Sequence, residues 1–177
     1  MFAGIHTRLR LPWTIIMLWV AMHTSASAGL TVVSQDFPDH GAIPQKFTCD
    51  GENLPPQISI ADVPSKTLGL ALIMEDPDAP GGTFTHWIVF HLPAQVRLLS
   101  QGTAPQGARQ GRNDFDKTGY GGPCPPPGRA HHYLFHVYAL DRQIELPDGA
   151  TRKDLEQAMK GQVLAEGSLT GLYGRRQ

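Results

Sequence analysis

Glycine and proline recur throughout the chain and interrupt helical periodicity: 19 Gly and 15 Pro are spread over 177 residues. Proline removes an amide donor and breaks helices, while glycine inside an element costs backbone entropy. Between these breakers lie short apolar or alternating runs at 30–34, 57–61, 68–74, 87–92, 133–140 and 163–172. Runs of that length bounded by turn residues read as strands, and helical periodicity is scarce. The pattern predicts a mostly β chain built as a two-sheet antiparallel sandwich with long functional loops. One helix is expected over 151–160. Thr151 can cap it, Asp154 stands three residues on as in a capping box, Leu155 and Met159 share a face, and Gly161 can end it.

The first residues read as a targeting segment. Arg8 and Arg10 precede an apolar run, 11–22, and Ser25-Ala26-Ser27-Ala28 fits a small-residue cleavage site. Pro12 interrupts the run, which is shorter than the roughly 20 residues needed to cross a bilayer. The expectation is a signal peptide over 1–28, cleavage after Ala28, no transmembrane anchor after processing, and a periplasmic or secreted product. The remaining 29–177 has the size of one domain. Cleavage removes two arginines and no acid, so a net charge of -1 becomes -3, from 13 cations and 16 acids. That balance gives no support to nucleic-acid binding. In an oxidising compartment Cys49 and Cys124 are a candidate disulfide closing a long loop; two separate buried thiols are the alternative.

Two stretches carry the chemistry. In 75–87, Glu75-Asp76-Pro77-Asp78-Ala79-Pro80-Gly81-Gly82-Thr83-Phe84-Thr85-His86-Trp87, the two aspartates and the histidine are expected on a stiff connection between core strands. Its X-Pro bonds, Asp76-Pro77 and Ala79-Pro80, are open to the cis form. A turn in which each Asp caps a backbone amide is the bland alternative. In 119–140 a Gly/Pro-rich half cannot be regular, while the half from His131 reads as a strand. Strand alternation puts His131, Tyr133 and Phe135 on one side and His132, Leu134 and His136 on the other.

Asp-Pro-Asp-Ala-Pro, the following histidine at a strand start, and a Gly-Pro loop running into His-x-Tyr resemble the signature regions of the phosphatidylethanolamine-binding proteins, which include the Raf kinase inhibitor proteins. Residues 47–53, 111–115, 164–167 and 172–175 resemble the bacterial branch, and the likeness runs from about Leu30 to Arg176. The resemblance implies a two-sheet Greek-key sandwich with a few peripheral helices. It also implies a small anion pocket for phosphate or phosphorylated head groups, lined by Asp76, His86, His131 and Tyr133. Asp78 belongs to the same signature stretch, and Pro80, Gly122 and Pro123 would shape the rim.

No Lys or Arg occurs from 67 to 96, so the first loop offers no permanent cation, and recognition would rest on imidazole and hydroxyl donors. Anion affinity should then weaken as pH rises through the imidazole range. An ionised Asp beside an anion would repel it, so its expected role is to orient and charge a neighbouring His. This describes a binding protein rather than an enzyme, with no cofactor.

Two other readings stand beside it. The first is a protein-interaction or inhibitor module whose loops dock a kinase or protease; a regulated partner and a homodimer are both compatible with the family. The second is a metal-dependent hydrolase using Asp76, His86 and His131. It lacks a His-Glu-x-x-His pair, and the chain carries no Gly-x-Ser-x-Gly elbow, P-loop or Gly-x-Gly-x-x-Gly after a strand. His91 and His136 read as satisfied strand histidines, and His40 as an exposed turn residue. Asn113 and Asp114 either border the pocket or only make turn hydrogen bonds.

Overall fold

A computed structural model describes Met1, residues 29–100 and residues 105–176. The expected leader and its cleavage site lie outside the described residues, apart from Met1. Nine strands and one α-helix follow in order: β1 (Thr31–Val33), β2 (Gly41–Ala42), β3 (Ile58–Ala61), β4 (Gly69–Asp76), β5 (Phe84–Pro93), β6 (Leu98–Leu99), β7 (Arg109–Gln110), β8 (His131–Leu140), α1 (Arg152–Met159) and β9 (Val163–Tyr173). Strands β1, β3 and β6 form a small sheet in the order β1-β3-β6, and the rest form a larger one in the order β2-β9-β8-β4-β5-β7. All pairings are antiparallel except β2 with β9. The expected two-sheet sandwich is therefore the observed class.

The larger sheet is covered on both faces. Between the sheets, Leu70, Leu72 and Met74 of β4 pack with Tyr133, Phe135 and Val137 of β8 and with Val32, Ile58 and Ile60 of the small sheet. On the other face, Ala71, Ile73, Ile88 and Phe90 meet Leu155 and Met159 of α1. This explains why β4 reads as a continuous apolar run instead of an alternating one: both of its faces are buried.

The helix forms where the sequence predicts it. The Thr151 side chain accepts from the Asp154 amide, Asp154 reaches back to the Thr151 amide, and Leu155 and Met159 are the buried pair. The six predicted strands are present, and β4, β5, β8 and β9 run past the expected bounds. β2, β6 and β7 were not anticipated, since two-residue ladders leave no periodic signal. The peptide bonds at Asp76-Pro77 and Ala79-Pro80 are trans. Asp76 and His86 also lie on strands rather than on the connection between them, which leaves only Asp78 in the turn.

Candidate functional site

Three neighbouring strands meet at one end of the larger sheet. β4 finishes at Asp76, β8 starts at His131, and β5 returns through His86. Alternation from Leu70, Leu72 and Met74 turns Asp76 to the face between the sheets, and Tyr133 turns His131 the same way. His86 should by alternation share the opposite face with Ile88 and Phe90. The pairing skips it instead: Met74 stands opposite Trp87 and Glu75 opposite Thr85, so His86 is the extra residue of a β-bulge. A bulge re-aims a side chain, and here the imidazole lies against Tyr133, ring centres 5.2 Å apart.

Gly121 holds His86 at two points. Its amide donates to the His86 carbonyl at 2.9 Å, and its own carbonyl is 2.7 Å from His86 Nδ1. A carbonyl only accepts, so Nδ1 carries the proton and Nε2 faces the site. Burial pushes the imidazole pKa below its usual value, opposed by the Gly121 carbonyl and then by the Asp76 carboxylate. Phe84 at 5.1 Å and Phe115 at 5.3 Å complete an aromatic surround.

Asp76 divides its two oxygens. Oδ2 is 2.7 Å from His131 Nδ1, with both side chains almost wholly buried, while Oδ1 accepts from the Asp78 amide at 2.8 Å. The turn-capping role and the histidine-orienting role thus belong to the same residue. Next to them the Tyr133 hydroxyl is buried beside the Asp76 carboxylate. Its pKa is pushed up, first by burial and then by the Asp76 charge and hydrogen bonding to that carboxylate.

The remaining predicted residues are placed around this centre. Asp78 faces outward and clamps the second loop: it accepts from the His132 ring and amide and from Arg129. The His132 hydrogen bonds, then Arg129, hold its carboxyl down to about 2. Pro80 is exposed in the turn. Gly122 and Pro123 form a buried wall, the Gly122 amide donating to Asn53 Oδ1 at 2.8 Å and the Pro123 carbonyl accepting from Cys49 at 3.1 Å. A Cβ on Gly122 would stand 2.5 Å from the Phe47 carbonyl oxygen, so only glycine fits. Cys49 and Cys124 are joined as a disulfide, which decides between the two readings of this pair.

Asn113 is buried, donating to the Gly119 carbonyl and accepting from the Phe115 and Lys117 amides, while Asp114 accepts from the Thr85 amide. Turn bonds therefore seat Phe115 against His86. Sequence reasoning named neither Phe84 nor Phe115 as site residues, although both lie inside the signature-like stretches. His91 is satisfied by the Ile144 carbonyl and Glu145, and His136 by Glu166 and Glu75. His40 is exposed with φ 56°.

The larger sheet of this antiparallel sandwich thus ends in a buried Asp–His pair, a bulged histidine and a buried tyrosine. Residues 33–174 match the family model described as phosphatidylethanolamine-binding protein. The chain belongs to that family. It is 46% identical over 160 residues to a UPF0098 protein of Aquifex aeolicus, covering 87% of this chain and 94% of that one. A UPF0098 protein of Methanothermobacter thermautotrophicus is 46% identical over 144 residues, 78% of this chain and 95% of that one. Two crystal structures superpose with TM-scores of 0.79. One is a phosphatidylethanolamine-binding protein homolog from Chlamydia trachomatis, 38% identical over 83% of this chain and 98% of its own. The other is E. coli YbcL, described as a member of the mammalian PEBP family, 31% identical over 84% of this chain and 100% of its own.

Proposed function

We propose that this chain is an exported binding protein, not an enzyme, whose pocket at Asp76, His86, His131 and Tyr133 takes phosphate or a phosphorylated head group. The observation that carries this reading is the pair of buried imidazoles, His86 and His131, each engaged through Nδ1 and set beside the buried Tyr133 hydroxyl. An anion oxygen would accept hydrogen bonds from the Tyr133 hydroxyl and from protonated Nε2 atoms of the imidazoles. Burial favours the neutral form of His86, and with Nδ1 protonated its Nε2 is then a lone pair. A fully deprotonated oxyanion meets repulsion there until the ring gains a proton. Binding is therefore coupled to proton uptake, and affinity falls as pH rises.

Asp76 orients His131 through its Nδ1 and does not touch the anion. The Cys49–Cys124 disulfide supports an oxidising compartment and hence export. Regulation of a protein partner through the surrounding loops belongs to the same reading. It is tested by pull-down from periplasmic extract with and without phosphate.

The direct test follows His ring protons by NMR during titration with inorganic phosphate and phosphoethanolamine at several pH values. Saturable shifts at His86 and His131 that fade with rising pH are expected. His86→Ala should weaken phosphate roughly thirtyfold, the loss of one hydrogen bond to a charged group. A folded His86→Ala variant that binds phosphate as tightly as the parent would sink the pocket.

A further inference from the structure

A cavity of about 170 Å³ lies on the other side of the wall that clamps His86. Gly121 and Gly122 line it, and the Cys49–Cys124 disulfide, Phe115 and Tyr120 supply its soft and aromatic surface. The walls are firmly held. Tyr120 donates its hydroxyl to the Phe47 carbonyl at 2.6 Å and packs edge-on against Trp87, so it presents ring rather than hydroxyl. The disulfide and the Gly122–Asn53 hydrogen bond pin the two segments that face each other across the space. Phe115 and Cys124 are exposed, which opens the cavity to solvent.

Two features go beyond a packing gap. The volume matches that of cavities of about 150 Å³ that accept benzene. Lys117 also lines it, and its ammonium has no hydrogen-bond or ion-pair partner among the described residues; only its backbone is engaged, its amide donating to Asn113 Oδ1 and its carbonyl accepting from the Asn113 amide. We propose that this cavity is a second binding compartment, for one ring-sized apolar group that carries an anionic substituent. The ring lies against Phe115, Tyr120 and the disulfide, and Lys117 meets the charge. Asp76, His86, His131 and Tyr133 do not line the compartment, but it shares Phe115, Gly121 and Gly122 with the surround of the anion pocket, so its occupancy reaches His86 through contact.

Benzoate and acetate are the probes, titrated into the oxidised protein and followed by amide and aromatic NMR shifts, with inorganic phosphate as the reference for the histidine pocket. Benzoate should shift Phe115, Tyr120 and the Gly121–Gly122 amides saturably and bind about tenfold more tightly than acetate, because only it buries apolar area. Lys117→Gln, on an exposed side chain whose loss cannot unfold the protein, should weaken benzoate about threefold while leaving phosphate unchanged. Equal affinities for benzoate and acetate would overturn the ring compartment, as would benzoate shifts confined to His86 and His131. An unchanged benzoate affinity in Lys117→Gln overturns the assignment of the anionic substituent. None of these outcomes depends on whether phosphate binds, so the two sites stand or fall separately.

Discussion

β4 and β8 bring a carboxylate to a histidine twice, on opposite faces of the larger sheet. Between the sheets Asp76 holds His131 at 2.7 Å, and no Lys or Arg pairs with either among the described residues. On the helix side Glu75 stands 3.8 Å from His136, which also contacts Glu166 at 3.2 Å, and Arg152 from α1 reaches Glu75 at 2.8 Å. The second cluster is balanced by a permanent cation and is closed on itself. The first engages His86 and His131 only through their Nδ1 atoms. Composition does not separate a binding site from a structural strut; the donors left over after internal pairing do.

The disulfide offers the largest perturbation of this contrast. Cys49 and Cys124 are 75 residues apart, and in the chain-entropy model such a crosslink contributes about 4 kcal/mol. Replacing both with Ser should lower the urea unfolding free energy by that order. It should also move the His86 ring signals, through the Gly121–Pro123 wall, and leave His136 in place. Equal movement at both histidines would show that the crosslink supports the whole sheet rather than one end of it.

Next in size, Asp76→Ala leaves His131 buried without its partner and should cost about 3 kcal/mol, as for broken buried pairs. Glu75→Ala, in the partly solvated cluster, should cost about 1 kcal/mol or less. Denaturant midpoints with unchanged slopes would read the difference, and similar losses would erase the distinction between the two pairs.

The smallest effect is a pH dependence. His86 has a folded pKa below its unfolded value of about 6.5, so the unfolded chain binds the proton first as pH falls. Stability is full above that pH and declines as pH drops toward the folded pKa. Unfolding midpoints measured from about pH 8 down to about pH 5 should show this slope in the parent and in His136→Ala, and a shallower one in His86→Ala. Asp78 adds a separate loss only in strong acid, as pH falls from the ordinary carboxylate range toward about 2.

Much of this architecture was legible in the residues. Strand-length runs between Gly and Pro gave the sandwich, and Thr151, Asp154, Leu155 and Met159 gave the helix, because local pattern and local hydrogen bonding decide such elements. The two signature-like stretches named the four residues that come together at the site. His86 was legible as a type but not as a direction, since strand alternation alone points it away from Tyr133.

What only the tertiary structure decided is everything that depends on one segment meeting another far along the chain. The bulge that turns His86 inward, Gly121 fixing its tautomer, Phe115 reaching its ring, and Asp78 claimed by His132 and Arg129 are all contacts between distant segments. So is the choice of disulfide over two thiols. Residue identity determined which donors and acceptors this protein owns. Long-range packing decided which of them are consumed in holding the fold and which remain for a ligand, because a hydrogen bond already made inside the protein is no longer on offer.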